Sequence, residues 1–195
     1  MRHNDIRDLF GEQCKRAFND VQIEPPLQPL TGEHLIPASA NTTDDARADV
    51  RVKGFWSRQR NAFFDVRIFY PHAQCFRGKS LQKIYSSIEK EKKRHYCDRI
   101  LQIEHGTFTP LVFSSNGGMG REASEALKTL AMKIATKTGE QYATTMGLLR
   151  CRFSFSLLRS AITCIRGSRR LRPTSLVDEP ELLIQHEARI GVDHG

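Results

Sequence analysis

A chain of 195 residues, 39% of them hydrophobic, is long enough for one domain with a substantial core. Its 30 Lys and Arg against 22 Asp and Glu leave a net charge of +8, which favours an anionic partner, nucleic acid first and an acidic membrane surface second. The five cysteines (14, 75, 97, 151 and 164) are odd in number and form no CxxC pair, so neither a zinc site nor a disulfide framework is expected, and the setting reads as intracellular, nucleus or cytoplasm. The opening "MRHNDIRDLF" has no apolar signal-peptide core. Residues 5–20 read as a helix with Ile6, Leu9, Phe10, Ala17 and Phe18 on one stripe and Asn4 or Asp5 as its cap. "VQIEPPLQPL" is extended, because its prolines forbid helix and suit an edge strand. Residues 31–46 are polar and turn-rich, a loop.

Two strands follow, 48–53 and 62–69, joined by "GFWSRQRN". They carry an echo, "DVRV" and "FFDVRIF", that puts Asp49 and Asp65 into neighbouring strands. Residues 79–98 form a second helix with Leu81, Ile84, Tyr85 and Ile88 inward, the same face continuing through Lys92, His95 and Tyr96. "RILQIEHGTFTPLVFSS" is strand-like and broken near Gly106. "NGGMGRE" turns into a third helix at 120–137, and a fourth covers 143–166. That last stretch is interrupted by Arg150, Arg152 and Arg159, which rules out an ordinary membrane span; between the two anionic partners nucleic acid is preferred and no membrane partner is expected. The tail from Arg169 is peripheral. The order implies an α/β fold, a mixed central sheet flanked by helices.

Two carboxylates on adjacent strands repel unless a cation lies between them, and a divalent metal such as Mg²⁺ takes hard oxygen ligands. Positions i and i+2 of a strand share a face, so Asp65 and Arg67 point the same way and deliver a ligand and a positive charge to one spot. Metal and cation together suit attack on a phosphodiester. The plainer reading is two cross-strand salt bridges, Asp49–Arg51 and Asp65–Arg67, on a solvated face. "SSNGGMGRE" offers amides at a helix N-terminus but fits no nucleotide-hydrolysis pattern, and reads better as a strand-to-helix turn. Arg152, Arg159 and Arg166 recur every seven residues, a basic ridge suited to phosphates or to an acidic neighbour.

The phrases "RHNDIRD", "DVRV", "FFDVRIF", "FTPLVFSSNGGMGRE" and "LLRCRFSFSLLRSAITCIRGSR" resemble the PD-(D/E)XK, or restriction-endonuclease-like, superfamily. More closely, the chain resembles the nuclease-like domain of animal retroelement polyproteins, downstream of a reverse transcriptase. The resemblance implies a nuclease-like domain over 1–170 with an αβββαβ core and extra C-terminal helices, followed by a peripheral tail, 171–195, for which disorder is one reading. It further implies a DNA partner, and a reverse transcriptase or another polyprotein segment as neighbour. Carried over residue by residue, Asp49 matches the first metal carboxylate and Asp65 the carboxylate of (D/E)xK. The carbonyl of Val66 becomes a further ligand for Mg²⁺ or Mn²⁺, and Arg67 stands where the superfamily has Lys. Arg cannot take up a proton as a neutral Lys can and is bulkier, so it supplies only charge and hydrogen bonds. The superfamily's first-helix Glu suggests Glu12, although Glu12 lies about 240° around the helix from Ile6, off the apolar stripe, whereas Gln13 at about 340° and His3 at about 60° lie on it. Lys92, on the helix after the catalytic strand, is expected near the scissile phosphate, against the plainer reading of "EKEKKRH" as a solvated run. The resulting expectation is a metal-dependent DNA endonuclease. The alternatives are an inactive nuclease fold that binds nucleic acid, and a scaffold segment of a polyprotein.

Overall fold

The computed structural model describes residues 2–27 and 47–167. The expected loop at 31–46, the end of the Pro-rich stretch, the tail at 171–195 and the Arg166 side chain lie outside the described residues. Helix α1 (Arg2–Ala17) buries Ile6, Phe10 and Cys14 at helical spacing. It starts earlier than its capping residues suggested: Asn4 and Asp5 are inside it, and Asp5 instead accepts a 2.6 Å hydrogen bond from Ser160 Oγ. Strand β1 (Val21–Ile23) is short and lies at the sheet edge; Glu24 turns with φ 51° and two prolines follow, which have no N–H to offer a ladder.

Strands β2 (Val50–Lys53) and β3 (Asn61–Phe69) pair antiparallel, and β3 pairs parallel with β4 (Thr107–Ser114) after a crossover through α2 (Leu81–Gln102). The result is a four-stranded mixed sheet in the order β1-β2-β3-β4. Helices α3 (Arg121–Thr138) and α4 (Tyr142–Gly167) complete the described chain. The period-2 alternation of β3 divides its side chains between two layers. Ala62, Phe64 and Val66 enter the main core with α1, α3 and α4, where the Phe10 and Phe64 ring centroids are 4.8 Å apart. Phe63, Asp65 and Phe69 face α2. Among the described residues no helix is long and apolar enough to cross a membrane.

Three expectations are corrected. Residues 99–102, expected as strand, form the last turn of α2, because Arg99 and Ile100 continue the helical buried stripe of Ile84, Tyr85 and Ile88. The chain must then reverse to start a parallel β4, and does so through His105 at φ 48° and a 3.0 Å hydrogen bond from Gly106 N to Ile100 O. Glu104 and His105 therefore belong to that turn, not to a strand. Leu81 and His95, expected inward, are exposed.

Candidate active site

Asp65 is the only carboxylate among the buried residues described, 6% exposed in the middle of β3. It lies between two apolar clusters on the α2 side, one around Phe63 and Ile100, the other around Phe69 and Ile88. An ionised carboxylate there costs several kcal/mol unless compensated. Burial accordingly pushes the Asp65 carboxyl above its ordinary range, against the pull of Lys92, and nearby Asp49 adds to the rise. Lys92 Nζ, from α2, lies 2.8 Å from Asp65 Oδ2. The contact is an ion pair and not an aligned hydrogen bond: the buried Oδ2 has no well-directed donor. Tyr96, one helical turn on, stacks with Phe108, and its ring carries Lys92 Nζ at 5.5 Å from the centroid. Its hydroxyl is pushed up to about 12, first by burial and then by Asp65 and Asp49.

Asp49 immediately precedes β2. Continuing the register past the Val50–Phe64 pair brings it level with Asp65. Its N–H donates to Phe64 O at 3.0 Å, and its Oδ2 accepts from Val66 N at 2.5 Å, so the side chain extends the ladder on the N-terminal side of β2. In a strand the N–H and C=O of one residue point to the same side, so the Val66 carbonyl also faces the Asp49 side of β3. The same Oδ2 is 2.9 Å from His3 Nε2 at the start of α1. That hydrogen bond is the main reason the His3 imidazole titrates above its ordinary value, burial acting the other way. His3 was visible in the sequence on the apolar stripe, with no functional role assigned to it; it is a partner of Asp49.

The salt bridges of the plainer reading, Asp49–Arg51 and Asp65–Arg67, do not form. Arg51 pairs with Asp20 at 2.8 Å, and Arg67 makes no ion pair among the described residues. Arg67 is exposed and lines a groove of ≈ 590 Å³ together with Lys92, Tyr96, His95, Glu91 and Tyr70. Asp65 and Arg67 share a face of β3, yet the cation that reaches the buried carboxylate is Lys92. The structure thus brings together Asp49, Asp65, Val66 and Lys92, with Arg67 beside them.

Glu12, Arg152 and Arg159 lie elsewhere. Glu12 is exposed and lines a groove between α1 and α4 with both arginines, on the opposite side of the sheet from Lys92. The glycine turn before α3 is not open to an anion. Glu89 of α2 already caps that helix, its Oε1 accepting from Glu122 N at 3.2 Å, and the missing side chain of Gly120 makes room for it.

Among the described residues no group of three or more His, Cys, Asp and Glu is arranged to hold a metal ion. The donors at hand are two carboxylates and one carbonyl. Mg²⁺ and Mn²⁺ are hard cations, and Mg²⁺ commonly takes only one or two carboxylates and keeps its waters, so the Asp65 carboxylate, whose Oδ2 is ion-paired with Lys92 but accepts no aligned hydrogen bond, and the neighbouring Asp49 fit such an ion. The chain matches no family model and no curated protein sequence.

Proposed function

We propose that this chain is a restriction-endonuclease-like, metal-dependent DNA endonuclease domain of retroelement type. One observation carries the reading: a buried carboxylate in mid-strand, level with a second carboxylate, and paired with a lysine from the following helix. The element order α1-β1-β2-β3-α2-β4 supports it, being the αβββαβ order of that superfamily. Asp49, Asp65 and the Val66 carbonyl would hold Mg²⁺ or Mn²⁺, which when bound supplies Lewis acidity toward a phosphate and lowers the pKa of water. The remaining work falls to the chain's own groups. Lys92 is a compact ammonium with three rotatable donors, able to orient a water or a phosphate oxygen at the edge of the groove. It occupies in space the role that sequence position gave to Arg67. Arg67, exposed beside it, binds substrate phosphate. His3 fixes the Asp49 carboxylate, which Val66 N also holds.

A second reading has its own support. Lys92 pairs with Asp65 and His3 Nε2 lies 2.9 Å from Asp49 Oδ2, so both carboxylates have partners within the chain, as in a nuclease fold that binds nucleic acid without cutting it. Supercoiled plasmid incubated with the protein in Mg²⁺ or Mn²⁺ separates the two. The endonuclease reading expects nicked product that disappears in EDTA and in Asp65→Asn. Salt-sensitive retention of DNA with no nicking in either metal selects the second reading, and neither activity leaves a scaffold segment.

A further inference from the structure

Helix α4 carries two apolar stripes. One, through Met146, Leu149, Phe153 and Leu157, is buried in the core. The other is open: Leu148 at 48% exposed, Phe155 at 69%, Leu158 at 54% and Ile162 at 42%. With exposed Cys151 these positions follow the alternating three- and four-residue spacing of a heptad seam, the pattern by which helices pair with helices. Lone exposed apolar side chains are ordinary, but a continuous seam of this kind marks an interface.

We propose that the open seam of α4 is the interface of a two-fold dimer, its occupant the α4 of a second copy. Charge decides between occupants. From Tyr142 to Gly167 the helix has no Asp or Glu, and Arg150, Arg152 and Arg159 are exposed along it. Two such helices alone would repel. Leu148 and Phe155, however, also line the ≈ 810 Å³ groove between α4 and α1, whose far wall bears Asp5, Asp8 and Glu12. A second α4 laid along this groove buries its seam against the first, and its Arg152 and Arg159, the arginines on that side of the helix, face the acidic wall of α1. The two-fold axis repeats the arrangement in reverse, so one surface holds both halves of the charge match, as an isologous contact requires. Nucleic acid fits less well, because Asp5, Asp8 and Glu12 outnumber Arg152 and Arg159 along this groove. The interface is independent of the nuclease reading.

Sedimentation velocity of the full chain over a range of concentrations tests it. The wild type is expected to dimerise, and Phe155→Glu or Leu158→Glu to weaken dimerisation at least about a hundredfold, as a central apolar anchor does. Both side chains are exposed, so the melting temperature should hold. A charge exchange provides the second arm. Arg152→Glu with Arg159→Glu should dissociate the dimer, and adding Asp8→Lys with Glu12→Lys should restore it. A wild type that stays monomeric throughout overturns the proposal, as does a dimer indifferent to the seam variants. Seam variants that leave the dimer intact and lose DNA retention likewise overturn it and assign the face to nucleic acid.

Discussion

The Asp65 carboxyl is held above the ordinary carboxylate range because burial disfavours its charge, and Lys92 is the main influence pulling it back. The sign follows. Between the unfolded and folded pKa values the native state holds more protons than the unfolded chain, so stability at this residue falls as pH rises through the folded value. Removing Lys92 lifts the folded value further and widens that window toward neutrality. Lys92→Met is therefore expected to cost about 1–3 kcal/mol at neutral pH, the penalty of an uncompensated buried acceptor, and little or nothing below the unfolded value. Urea denaturation of the two proteins at acid and neutral pH reads the difference. A deficit independent of pH would assign Lys92 a packing role over the Tyr96 ring instead. Tyr96 itself, at about 12, stays protonated across this range and can only donate toward the carboxylates without charge of its own.

The turn from β4 into α3 shows how one missing side chain allows two helices to meet. A Cβ on Gly120 would strike Glu89 Oε1 and come within 3.2 Å of the Tyr85 ring. Gly120→Ala is expected to destabilise the fold by about 1–3 kcal/mol through overpacking and loss of the Glu89 cap. The cost should shrink when Glu89→Ala is already present, because the two residues share one contact. Chemical denaturation of the four proteins of this cycle checks it, and full additivity would break the link. The same turn shows what local pattern conveys. The glycines announced a strand-to-helix turn, and β3, α3 and the buried stripe of α1 were legible from periods of 2 and 3.6. Residues 99–102 were not, because a short run with apolar residues at both spacings fits strand and helix alike, and packing against β4 decides. Asp49 and Asp65 were legible together because two strands joined by a short connection pair as neighbours; that the two residues are level comes from the register of the structure. The choice of Lys92 over Arg67, and the reach of His3 across to Asp49, depends on how α2 and α1 sit on the sheet. No local period carries that information.

At the scale of the molecule the sheet separates two charged surfaces. The α2 side presents Arg67 and Lys92 around a groove beside the buried carboxylate; the α4 side presents arginines across a groove from the acids of α1. A net charge of +8 does not say which surface meets nucleic acid, but salt dependence does. Each phosphate neutralised on B-DNA contributes about −0.9 to the slope of log affinity against log salt. If the α2 side is the substrate face, Arg67→Ala should flatten the slope by about 0.9, one lost phosphate contact. Asp65→Asn should bind DNA equally well or more tightly, because a negative charge leaves the neighbourhood of the phosphate. Arg152→Ala with Arg159→Ala should leave the slope unchanged and alter sedimentation instead. Filter binding over a salt series, run beside sedimentation on the same samples, distinguishes the faces. A slope that flattens with the α4 arginines and ignores Arg67 would reverse the assignment, placing DNA along α4 and leaving Asp65 and Lys92 as a structural ion pair.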